Sequence, residues 1–230
     1  MPQQIDKYSK LIFYLFILLF LSSAHNLSWI RLKSEILKIN SIEVTGLKEE
    51  LNYNIEKKLL FLIGENILFV DGDKIINELN KIKYIENYKI KKFLPSKLKI
   101  KIKKTKILAQ AYENNKKYYI GANKKKINFL KEIEDNKYPT IYGEFSIEEF
   151  INLRDTMFHA KFNIENVTDY YYFQSNRWDI KLKNGTLIKL PKKNINIAIR
   201  LAKKIITQKL NNQKKIIDLR VEKQIILSNG

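Results

Sequence analysis

Two histidines, no cysteine and a few close carboxylate pairs are the residues of this 230-residue chain whose types could do chemistry. His25 stands beside an apolar run and His159 in an expected helix, so they form no local metal-ligand spacing and leave a hydrolytic triad without its usual parts. The lack of cysteine excludes disulfides, thiolate metal sites and thiol nucleophiles. Glu148 with Glu149, and Glu132 with Glu134, have the spacing of solvated helix or loop charges rather than of a dedicated acid/base pair. The seven glycines are scattered, none in a GxGxxG or GxxxxGK phosphate-binding arrangement. The chain reads as a binding or scaffolding protein and not an enzyme, with no cofactor, no metal and no small-molecule substrate expected.

Charge narrows the class of partner. There are 43 Lys plus Arg against 24 Asp plus Glu, a formal net charge of +19. These basic residues run along nearly the whole chain and are overwhelmingly Lys, whereas base readout and bidentate phosphate clamps favour Arg. Nucleic acid is therefore not an expected partner, and acidic lipid headgroups suit a diffuse lysine charge better. A hydrophobic content of 45% supports folded cores.

The elements that position the rest begin with Leu11, Ile12, Phe13, Tyr14, Leu15, Phe16, Ile17, Leu18, Leu19, Phe20 and Leu21, an uninterrupted apolar run behind Lys7 and Lys10. This is the layout of a membrane-targeting segment. Two fates fit it. A helix extended over 11–30 reaches the ~20 residues a bilayer needs and sets Trp29 at the interface. Alternatively, Ser22, Ser23 and Ala24 supply the small residues of a signal-peptidase site.

After a linker at 31–38, Ile39, Ile42, Val44 and Gly46 suggest a short strand closed by a glycine turn. A helix is expected from Asn52 or Asn54 to Phe61, with Ile55, Leu59 and Leu62 on one face, and a second after Asp71 as N-cap, running to Leu79. Two strands follow at 87–93 and 97–103, joined at Leu94-Pro95-Ser96. In the second strand Leu98, Ile100 and Ile102 alternate with Lys97, Lys99, Lys101 and Lys103, which reads as a buried face backed by a solvated lysine row that discourages edge pairing. The order β-α-α-β-β makes one two-layer unit.

This order, with IxVxG, GxNxxxVD and LPxxLxIxI, resembles a POTRA domain, a module that receives partner proteins at a sheet edge. The chain continues with Tyr138-Pro139-Thr140-Ile141-Tyr142-Gly143, then WxxxLxNGxxIxLP from Trp178 to Pro191, then Ile217-Asp218-Leu219-Arg220. An apolar anchor, a POTRA domain and such a β-rich domain resemble, in series, the FtsQ/DivIB family of bacterial division proteins. The family's usual Glu and Pro at the POTRA exit are Lys104 and Ile107 here, and its LIDxxG turn reads Tyr119-Ile120-Gly121-Ala122-Asn123-Lys124.

The residues of the second half agree with a β-rich domain. Asn184-Gly185 between the alternating runs 178–182 and 186–190 signals a hairpin with a type I′ turn. Ser146 and Glu149 form a capping box for a helix towards Phe158, with His159 near its carbonyl-rich end. A helix over 194–210 places Ala198, Leu201, Ala202 and Ile205 on one side, and strands at 215–219 and 223–227 finish the chain.

The expected architecture is α+β: a cytoplasmic tail over 1–10, a transmembrane helix over 11–30, a linker over 31–38, a POTRA domain over 39–106 and an antiparallel-rich β-domain of mixed topology with flanking helices over 107–230. The resemblance implies a single-pass inner-membrane scaffold with its domains in the periplasm, concentrated at the division septum. It implies partners of the coiled-coil FtsB and FtsL kind, which add a strand to the last strand at Val221, Gln224, Ile225, Ile226 and Leu227. The competing reading of the same strand is that Ile225 and Leu227 fill the core of the domain and Ile226 is its only exposed apolar residue. The competing reading is a secreted periplasmic POTRA adaptor, or an outer-membrane assembly factor, with a cleaved signal peptide.

Overall fold

A computed structural model describes residues 7–23, 35–131, 137–208, 215–222 and 224–229. Helix α1 (Lys7–Ser23) carries the apolar run, whose side chains are exposed throughout. Its 17 residues reach about 25 Å at ~1.5 Å each, short of a ~30 Å hydrocarbon core. Among the described residues no helix is long and apolar enough to cross a membrane. The expected continuation through His25, Asn26 and Trp29 lies outside the described residues, as do Glu132 and Glu134.

The protein is α+β, and the chain divides into two compact units. One holds residues 1–45, 52–78 and 89–101; the other holds 46–51, 79–88 and 102–230. Most of β1 (Ser41–Thr45), α2 (Glu49–Lys58), α3 (Gly72–Asn80), β2 (Ile85–Phe93) and β3 (Lys97–Lys104) lies in the first. The strands form a sheet in the order β1-β3-β2, with β1 parallel to β3. Helix α2 starts three residues before Asn52, because Glu49 and Glu50 occupy a first turn whose free N–H groups favour carboxylates. The Asp71 carboxylate accepts the Asp73 N–H at 2.9 Å and opens α3. Ile55, Leu59, Leu62, Ile75, Leu98 and Ile100 are buried.

The lysine row on β3 has a different job from the one its alternation suggests. Strand β3 is central, so there is no edge for the lysines to protect. The parallel register places Glu43 opposite Lys99, and its carboxylate takes both Lys97 and, at 2.7 Å, Lys99. These two ammonium groups pull the Glu43 carboxyl down to about 2.

The second unit contains β4 (Ile107–Glu113), β5 (Lys116–Gly121), β6 (Lys126–Asn128), β7 (Thr140–Tyr142), α4 (Ile147–His159), β8 (Val167–Phe173), β9 (Arg177–Leu182), β10 (Leu187–Lys189), α5 (Ile195–Thr207), β11 (Ile216–Asp218) and β12 (Ile226–Ser228). They form a nine-stranded sheet, β12-β11-β10-β9-β8-β7-β4-β5-β6. Helices α4 and α5 share a core with alternate strand residues, among them Tyr170, Trp178, Ile180, Ile188 and Ile217. The residues between these, such as Tyr171, Asp179, Lys189 and Asp218, project from the other face. Ser146 and Glu149 complete the expected capping box of α4.

Two hairpins depart from the sequence reading. Asn184 is not at positive φ, while Gly185 is, at 84°. Gly185 N–H donates to Leu182 O at 2.8 Å, which makes a three-residue loop with a left-handed third residue instead of a type I′ turn. The two-residue loop with both residues at positive φ is Asn114-Asn115, at 48° and 60°, between β4 and β5.

Candidate partner-binding edge

Helix α5 begins after Asn194, a left-handed residue at φ 57°. Ala198, Ile199, Ala202 and Ile205 turn inward, which leaves Ile197 outward and 61% exposed. Across from this first turn the chain leaves β11, runs through 219–225 and returns as β12, pairing Ile217 with Leu227 and Asp218 with Ile226. Two hydrogen bonds set that loop: Asn194 Nδ2 donates to Glu222 Oε1 at 3.3 Å, and Gln224 N–H to Val221 O at 3.2 Å. Between α5 and the loop lies a groove of about 620 Å³, its floor formed by Ala198, Leu201 and Leu219 and its rim by Ile197, Val221 and Ile225.

Of the residues expected to meet a partner, Val221, Gln224 and Ile225 line this groove. Ile226 lies on β12 itself, and Leu227 is half-buried against the core. Ile225 is as exposed as Ile226, each at 46%, so the alternation that assigned Ile225 to the core does not hold. The strand covers only Ile226–Ser228, and Ile225 precedes it. Both expected terminal strands are shorter than 215–219 and 223–227. Ile197 belongs to the same apolar surface and is absent from the sequence reading, although its position off the buried stripe of α5 marks it. β12 is the last strand of the sheet order, with β11 on one side only.

Residues 37–104 match the family described as POTRA domain, FtsQ-type, and residues 109–220 match the family described as cell division protein FtsQ/DivIB, C-terminal. The cell division protein DivIB of Clostridium botulinum is 28% identical over 197 residues, which cover 75% of each chain. The chain belongs to the FtsQ/DivIB family. The matched residues end at 220, so Val221, Gln224, Ile225, Ile226 and Leu227 lie just past them.

In this FtsQ/DivIB chain a row of charge crosses the sheet face opposite α4 and α5, beside the groove. Lys189 on β10 stands opposite Asp179 on β9 and Asp218 on β11. Burial pushes the Asp179 carboxyl above its ordinary range, against the pull of Arg177, whose Nε is 3.4 Å away, and of Lys189 and Arg220. Asp218 moves the other way, because the Arg220 guanidinium bonds both its oxygens. The same contact raises Arg220.

Where the family's LIDxxG turn is replaced, Asn123 holds the loop. Its Nδ2 donates to Lys83 O at 2.9 Å and Ile85 O at 3.0 Å. His159 ends α4 beside Phe158. Among the described residues no three His, Cys, Asp or Glu side chains are grouped to hold a metal ion.

Proposed function

We propose that this chain is a bitopic scaffold of the bacterial division machinery, recruiting other division proteins at the septum and linking its early and late components. The apolar run 11–21 of helix α1, with the residues that follow it, anchors the chain in the inner membrane. The N-terminus is cytoplasmic and the folded units periplasmic. Family membership supports this placement. The protein acts by contact rather than catalysis.

Its partners are coiled-coil division proteins of the FtsB and FtsL kind, one of which adds a strand beside β12. The observation that carries this reading is an edge strand next to an apolar groove. The outer N–H and C=O groups of β12 accept a ladder, while Val221, Gln224 and Ile225 in the groove, with Ile226 and Leu227 on the strand, read its side chains. Capture of partner from membranes by the full chain tests it. Ile226→Asp, exposed enough to leave the fold intact, and a chain stopped after Leu219 are both expected to lose capture. Undiminished capture by a folded Ile226→Asp protein defeats the assignment. A reporter fused after Gly230 and active only outside the cytoplasm checks the orientation.

A further inference from the structure

The first unit carries an apolar surface that the division-protein contact at β12 does not use. Backbone bonds gather four segments at one end of it. Gly64 N–H donates to Ile39 O, Ile67 N–H to Leu37 O and Asn40 N–H to Ser96 O, each between 2.9 and 3.0 Å. Lys92 Nζ donates to Leu68 O at 3.2 Å. The end of α2, the loop to α3, the β2–β3 turn and the segment leading into β1 therefore meet. Ile36, Leu60, Phe61, Phe69, Phe93 and Leu94 are all exposed there, Phe69 at 84%. Lys57, Lys58, Lys91 and Lys92 stand in the same segments. Apolar tips among exposed lysines have the composition of a surface that enters a headgroup layer rather than of one that stays in water.

We infer that this end of the first unit rests in the surface of an anionic bilayer, with Phe69, Phe61 and Leu94 reaching the acyl boundary and the lysines meeting lipid phosphates. The inference builds on the anchor proposed above. With the anchor ending at residue 30, six residues lead to Ile36, a span of at most about 20 Å. The end that carries the apolar tips is thus the end that the chain enters from the membrane.

The chain has no cysteine, so single substitutions can carry a fluorophore. Full-length protein is reconstituted in vesicles of phosphatidylcholine with phosphatidylglycerol, with an environment-sensitive probe on Phe69→Cys, Leu94→Cys, Lys101→Cys at the opposite end of β3, or Phe16→Cys in α1. Spin-labelled lipid is expected to quench probes 69, 94 and 16, but not 101, and removal of phosphatidylglycerol to reduce quenching at 69 and 94. Quenching at 16 without 69 and 94 overturns this inference, leaves the anchor standing and assigns the patch to a protein occupant. Quenching at 69 and 94 without 16 overturns the anchor and keeps the surface contact. No quenching at any of the three overturns both.

Discussion

The Arg220 side chain folds back on Asp218, with Nε 2.8 Å from Oδ1 and 2.9 Å from Oδ2, while the Arg220 backbone N–H donates to Oδ1 at 3.0 Å. With Nη2, which also donates to Oδ2, three donors from one residue hold the carboxylate at the point where β11 gives way to the groove loop. Arg220→Ala is expected to cost about 1 kcal/mol, the low end for a charge-assisted pair, because its guanidinium is partly in water. Asp218→Asn should cost as much. The Asp218 carboxyl is lowered in the folded protein, so its stabilisation is present above the ordinary carboxylate range and is lost as pH falls through the lowered value. Thermal unfolding against pH should show an acid limb that Asp218→Asn reduces.

Gly143 and Gly185 share a positive φ, at 99° and 84°, but not the same surroundings. A Cβ at Gly143 would lie 2.1 Å from Tyr172 O, whereas one at Gly185 meets nothing within 4 Å. Gly185→Ala should cost about 1 kcal/mol, from the backbone conformation alone. Gly143→Ala should exceed about 3 kcal/mol, since backbone must move as well. Chemical denaturation of the two variants compares them directly, and equal losses would refute the distinction.

Ser146→Ala removes the acceptor of the Glu149 N–H at 3.1 Å and should cost about 1 kcal/mol. Glu149 also accepts the Tyr172 hydroxyl at 2.6 Å, which chiefly lowers its carboxyl. Tyr172→Phe should therefore raise the Glu149 midpoint in a carboxyl NMR titration while leaving the helix cap in place.

Glu43 should titrate near 2 in the same kind of experiment, from an ordinary value of 4.5, because Lys97 and Lys99 hydrogen-bond its ionised form. Its contribution to stability is present above 4.5 and fades as pH falls towards 2. Replacing both lysines with methionine should return the midpoint to the ordinary range; a midpoint that stays near 2 would mean another cause.

Periodicity revealed which side of β3 is buried, since Leu98, Ile100 and Ile102 could have no other role. It was silent on the neighbour across the strand: the meaning of Lys97 and Lys99 depends on Glu43, which a parallel pairing brings from more than fifty residues away. Turn chemistry marked Asn184-Gly185 as a reversal but not the loop size, which rests on Gly185 alone being left-handed. Asn114-Asn115 passed unnoticed because neither position is glycine, although asparagine also tolerates that conformation. At the partner edge, alternation failed at Ile225 because the strand starts one residue later. Ile197 gained its place in the groove only from Val221 and Ile225, which the sequence sets far from it.

Helices α4 and α5 cover one face of the nine-stranded sheet, and the sheet order ends at β12. A tenth strand laid there inherits both environments at once. Its alternate side chains fall into two columns, one continuing the Ile217 and Leu227 layer towards the α5 groove, the other continuing the line of Lys189, Asp218 and Ile226. Such a strand would meet Leu227 on one side and the exposed Ile226 on the other, and a slip of one residue would exchange the two columns.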